Sequence, residues 1–156
     1  MKYIRHFESK KFNEDKLKED IIDSIIFGSN RFFDYLKKII ENHIDINFEF
    51  EDSSPLSTAV YSERIDFIKE LIKLGADVNI PDPETIDYPL KIAADKNNYE
   101  SVKILIEAGA DLNSIDIYGN DVVHYLSEEF IEYIIQDYPE KYKEYLLKKQ
   151  ANKFNL

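Results

Sequence analysis

Cysteine and tryptophan are absent, methionine occurs once, and only four glycines and three histidines are spread over 156 residues. Without cysteine there is no disulfide and no thiolate nucleophile, a usage that suits a reducing compartment, and a cytoplasmic location is expected. So few glycines leave no glycine-rich phosphate loop, and no nucleophile elbow or kinase-type signature is present. His6, His43 and His124 lie far apart and make no zinc-ligand spacing. Long apolar runs are missing as well. The opening MKYIRHFESKKFNEDKLKED lacks the apolar stretch of a secretory signal, and no later run approaches a membrane span. Positive charge is scarce, with 20 basic against 31 acidic side chains and a formal net charge of -11, so a phosphate backbone is repelled on average. The expectation is a chain without metal or cofactor, without nucleic-acid or membrane partner, and without enzymatic activity.

What is present is a core and a repeat. A hydrophobic content of 44% with 13% aromatics is enough to bury one ordinary domain. Within it, LIKLGADVNI at 71–80 is echoed by LIEAGADLNS at 105–114, and Pro55, Leu56 and Ala59 by Pro89, Leu90 and Ala93, every offset being 34 residues. The two prolines suit a first helical turn, where an N–H has no partner to lose. Ala59 and Ala93 let neighbouring helices approach. Ile68, Leu71 and Ile72, matched by Val102, Leu105 and Ile106, make the i, i+3, i+4 stripe of a second, core-facing helix. Gly75 and Gly109 fall just past those stripes, where a helix ends on positive φ.

A Pro-Leu helix opening, an internal Ala, an apolar second helix and then Gly-Ala-Asp-apolar-Asn together resemble the ankyrin repeat, whose period is about 33 residues. The resemblance implies an all-α ankyrin-repeat solenoid of about four helix-turn-helix units with irregular terminal capping helices. The divisions expected are an extension or cap over 1–20, a degenerate unit over 21–47, full units over 48–80 and 81–114, a degenerate unit over 115–137 and a capping helix over 138–156. In the first unit His43 stands where the capping glycine would be, a position His tolerates better than most side chains. In the last, His124 occupies the place of the family's turn-stabilising His, while Asp121 and Val122 replace Thr and Pro. The terminal helix from Pro139 carries Tyr142, Tyr145 and Leu146 on one face, and its basic tail is expected in solvent.

Ankyrin proteins usually grip partners with hairpin tips and with exposed positions near the ends of their first helices. Counting from Pro55, Pro89 and Val122 carries the hairpin positions onto Phe50, Glu51, Ser53, Glu84, Thr85, Asp87, Ile117, Tyr118 and Asn120. The helix-end positions fall on Tyr61, Ser62, Asp95, Lys96, Glu128 and Glu129. Aromatic anchors, Phe50, Tyr61 and Tyr118, are mixed here with carboxylates suited to steering a basic protein. Phe50 reads equally as a ring folded onto the core, and the carboxylates of Asp82, Glu84 and Asp87 as an exposed loop face. The loop 80–88 is one residue longer than the period requires, a source of specificity.

The function implied is a protein-binding module, monomeric when unbound, acting as an adaptor or inhibitor of a folded, basic protein. Two narrower roles fit the acidity, the small size and a bias toward Ile, Lys, Asn, Tyr and Asp: an immunity or antitoxin-like protein, and a microbial or viral effector that binds a host protein. An enzyme would need residues gathered from afar, such as His124 with Asp95 or Glu128. Self-association would use Tyr133, Tyr138, Tyr142 and Tyr145.

Overall fold

The computed structural model describes residues 12–154, so most of the extension expected over 1–20 lies outside it. Among the described residues the elements are α1 (Glu14–Ile26), α2 (Arg31–Glu41), α3 (Pro55–Tyr61), α4 (Ile65–Lys73), α5 (Pro89–Asp95), α6 (Tyr99–Glu107), a 3-10 turn (Val122–Tyr125), α7 (Glu128–Asp137) and α8 (Pro139–Phe154). Consecutive helices pair as antiparallel hairpins. α1, α3, α5 and the 3-10 turn then stack side by side as an inner row, with α2, α4, α6 and α7 behind them. None of these helices is long and apolar enough to cross a membrane.

Local chemistry sets each boundary. Pro55 and Pro89 open α3 and α5. The side chains of Asn13, Ser54, Asn98 and Ser127 accept from backbone N–H groups one turn in, satisfying donors that a helix start leaves orphaned. Gly75 and Gly109 end the outer helices at φ of 94° and 100°, and His43 does the same for α2 at φ 54°. The unit assigned to 21–47 in fact begins at Glu14, inside the segment set aside as extension, because Asn13 caps a 13-residue α1 whose Leu17, Ile21, Ile22 and Ile25 face the core.

Burial is continuous from one end of the stack to the other. Ala59 and Ala93 are fully buried in the inner row, as are Ile68, Leu71, Val102, Leu105 and Ile106 in the outer one. Aromatic stacks join outer helices: Phe32 on Phe67 at 4.0 Å between centroids, and Tyr99 on Phe130 at 3.3 Å. Polar links repeat as well. Asn47 Oδ1 accepts from the N–H of Asp77 (2.8 Å) while its amide donates to Gly75 O (3.5 Å). Asn79 repeats this with Asp111 (2.9 Å) and Gly109 (3.2 Å). The Asn that closes one unit therefore pairs the otherwise unpaired backbone of the next.

The last unit is modified. Its first helix shrinks to the 3-10 turn, with Asp121 at the N-cap accepting from the N–H of His124. α8 then closes the stack. Tyr145 is buried and its O–H donates to Asp121 (3.0 Å), and Lys141 Nζ donates to the terminal carbonyl of Ile106. Leu146, expected beside the tyrosines, is 42% exposed. The basic tail is exposed as expected, and it is also paired: Lys149 donates to Asp121 (2.9 Å), and Lys148 pairs with Glu144 (3.1 Å) and Asp111 (3.7 Å).

Candidate partner-binding groove

Three hairpin-like loops project from the starts of the inner row. In the first, Phe50 and Ser53 exchange both backbone hydrogen bonds (2.9 and 3.0 Å) around Glu51 and Asp52, which are both left-handed. In the second, Asp82 N–H donates to Asp87 O and Ile86 N–H to Asp82 O, both at 2.8 Å. The Asp82 carboxylate also accepts from the N–H groups of Glu84 and Thr85 and the Thr85 hydroxyl, so Asp82 is a buried loop organiser and not part of an exposed acidic face. Ile86, β-branched yet at φ 60°, holds an exposed apolar side chain at that tip at a cost in backbone strain. In the third, Asp116 accepts from the N–H of Tyr118 (2.8 Å) and of Asn120 (2.9 Å) and from the Tyr125 hydroxyl.

Between the first two of these loops and the ends of the inner helices lies a groove of about 720 Å³. Of the residues expected at the partner face, it gathers Ser53, Tyr61, Ser62, Glu84, Thr85, Asp87, Asp95 and Lys96. The register is set by the helix ends: α1 finishes at Ile26, α3 at Tyr61 and α5 at Asp95, and the residues after them, Phe27, Ser62 and Lys96, are the C-caps. Ile26 and Phe27, exposed by 46% and 77%, are thus the first unit's counterparts of Tyr61 and Ser62, and Ile26 lines the groove. Sequence counting missed them because the first unit has no proline to count from.

Residues 24–116 match a family profile for ankyrin repeats in three copies. The chain belongs to the ankyrin-repeat family. Ankyrin repeats are protein–protein interaction modules. Alpha-latrocrustotoxin-Lt1a of Latrodectus tredecimguttatus is 36% identical over 67 residues, which cover 42% of this chain and 5% of that protein. The likeness therefore spans a small part of that relative's length.

Several positions carried over by ankyrin counting lie elsewhere. Glu128 and Glu129 belong to the first turn of α7, not to the end of a first helix, because the shortened 3-10 turn moves the register; Glu129 accepts from the Tyr99 hydroxyl (3.2 Å) behind the inner row. Phe50 is half-buried against the core. Glu51 is exposed at the first tip, and Ile117 and Tyr118 at the third, by 64% and 77%. Asn120 is spent inside its own loop, its amide donating to the Tyr125 hydroxyl (3.1 Å). His124, expected to stabilise the ankyrin turn, is exposed and packs edge-on to Tyr125, the turn being held by Asp116 and Asp121 instead.

Behind the groove wall sits Lys91, which the counting also passed over. Its ammonium bridges Asp87 (2.8 Å) and Asp95 (3.0 Å) and lies 4.5 Å from the centroid of Tyr125. Burial alone would lower its pKa, but the hydrogen bonds to the two carboxylates carry it up to about 12. The signal was in the sequence, as acid, Lys and acid at spacings of four across the start of α5.

Three aspartates of the C-terminal part are held below the ordinary carboxylate range. For each, burial pushes upward and is overcome: at Asp111 by Asn113 and Lys148, at Asp116 by Tyr125 and the N–H groups of Asn120 and Tyr118, and at Asp121 by Lys149 and Tyr145. A depressed folded-state pKa contributes stability that is present above the unfolded value, about 3.9 for Asp, and is lost as pH falls through the folded one. Acidification below about pH 4 is therefore expected to loosen the third loop and α8 before α1–α4. Hydrogen exchange at descending pH reads this directly, and uniform loss of protection along the chain would refute it.

Proposed function

We propose that the groove receives a basic segment of a folded protein partner and that the chain acts as an adaptor or inhibitor of that partner. One observation carries the reading. The ends of three successive inner helices place Ile26, Tyr61 and Asp95 in register on one wall, facing a loop that carries Glu84 and Asp87. An apolar and aromatic stretch thus runs into an acidic one. Exposed aromatics anchor interfaces, and carboxylates at the rim steer cationic partners. Nothing in the scaffold needs Tyr61 exposed by 67% or Tyr118 by 77%, since neither ring belongs to the buried core.

The test is affinity capture with the wild-type chain beside a Tyr61→Ala, Tyr118→Ala variant shown by circular dichroism to remain folded. The expected result is a basic protein retained by the wild type and weakened by roughly tenfold or more in the variant, the range of an interface hot spot. Its association rate should fall as salt rises. A partner held equally by both chains would move the interface off this groove.

A further inference from the structure

Within that groove Tyr61 already carries a cation. Lys96 Nζ stands 4.1 Å from the Tyr61 ring centroid, reaching across from the C-cap of the next inner helix. No ion pair fixes Lys96 among the described residues, in contrast to Lys91, which two carboxylates hold. A lysine over an exposed ring is held by only a few-fold in its equilibrium. The surroundings suit a firmer occupant. Ile26 supplies an apolar flank from the preceding unit, and the exposed Glu84 lines the same groove. Lys91 bonds to Asp95 through Oδ2, and the Asp95 side chain is still 42% exposed.

We propose that Tyr61 is the seat of an arginine side chain of the partner, and that Lys96 is its placeholder, displaced when the arginine binds. This rests on the reading that the groove takes a basic segment. A guanidinium is the better fit for a ring beside carboxylates: it is planar, sheds water more readily than an ammonium, stacks on an aromatic face and offers paired donors to a carboxylate. Lys96 acts as an internal competitor, setting a threshold that a contact no stronger than its own ammonium on the ring does not pass.

The experiment is an NMR titration of the full chain with acetyl-Leu-Arg-Arg-Leu-amide, following the Tyr61 ring and Lys96 side-chain signals, with lysine and citrulline versions of the peptide alongside. Tyr61 and Lys96 signals should move together on adding the arginine peptide, and the citrulline peptide should leave them still. Tyr61→Leu should weaken binding by roughly three- to thirty-fold. Lys96→Met should tighten it by more than Lys103→Met, which makes the same charge change at an exposed position on α6. Equal binding by Tyr61→Leu, no gain from Lys96→Met beyond the control, or a lysine peptide matching the arginine one would each overturn the assignment. Partner capture by a Ser62→Arg variant, which fills the groove, separates the two levels. If filling abolishes capture while the arginine peptide ignores Tyr61, the groove stands and the arginine falls; if capture survives filling, both fall.

Discussion

Phe32→Ala is expected to lower stability by about 3–5 kcal/mol, the range for emptying a fully buried phenylalanine site. Phe32 has no solvent exposure, stacks face to face on Phe67 of α4 and meets Phe33 edge-on at 5.3 Å. It is thus the main aromatic contact through which α2 grips the next outer helix. A stack of units is held by nearest-neighbour interfaces, and among the described residues the first unit packs against a neighbouring unit on one side. A loss of that size is a large fraction of the total stability of a domain, typically about 5–15 kcal/mol. The expected consequence is a two-step transition, in which α1 and α2 lose hydrogen-exchange protection at lower temperature or denaturant than α3–α6. A loss under about 1 kcal/mol with a single transition, outside the usual range for such a truncation, would mean that Phe33 or Phe67 refills the space and that the interface does not depend on Phe32.

The second large effect is expected at Gly28. Its φ is +64°, and a Cβ built there would stand 2.7 Å from the Arg64 Cζ and 2.8 Å from an adjoining guanidinium nitrogen. That guanidinium is placed to donate to the carbonyls of Ile25 (3.3 Å) and Ile26 (3.2 Å) at the end of α1, where a cation also complements the helix dipole. Gly28→Ala therefore pays twice: left-handed backbone for a side chain, about 1–2 kcal/mol, and withdrawal of Arg64 from two carbonyls, part of the ~1.5–3 kcal/mol of a charged hydrogen bond because the site is half-exposed. A total of about 2–3 kcal/mol is expected. A double-mutant cycle with Arg64→Ala checks the mechanism, since the second component should vanish once Arg64 is gone. Strict additivity of the two substitutions would show that backbone conformation alone is responsible.

The middle of the fold was legible because its markers are physical devices repeated at one spacing. Pro55 and Pro89 start helices, Gly75 and Gly109 end them, and the apolar stripe between faces inward. The groove followed from the same count for Tyr61, Ser62, Asp95 and Lys96. Legibility failed where a unit lacks the device. α1 starts on Asn13 and not on a proline, so its end at Ile26 went unnoticed as part of the groove wall. In the last unit the first helix is only the 3-10 turn Val122–Tyr125, which leaves Glu128 and Glu129 on α7. The spread of Asp87, Lys91 and Asp95 was visible, but its meaning depends on Tyr125, which tertiary structure alone brings over Lys91. Ile86 gave no signal at all, because nothing in a sequence marks a β-branched residue that the loop closure of Asp82 forces to positive φ.

The hydrogen bonds that join one unit to the next, from Asn47, Arg64, Asn79 and Lys141, span 28 to 39 residues. Each closes a loop of similar length, so ordering a new unit costs about the same entropy wherever it is added. In kinetic terms the chain is a zipper. Among the described elements, the pair made by α3–α6 is bounded on both sides by receptive surfaces and can grow either way, whereas a nucleus begun at α1 or α8 can grow in one direction. Refolding should start in the centre, so the groove wall from Tyr61 to Asp95 would stand before Ile26 of α1 joins it.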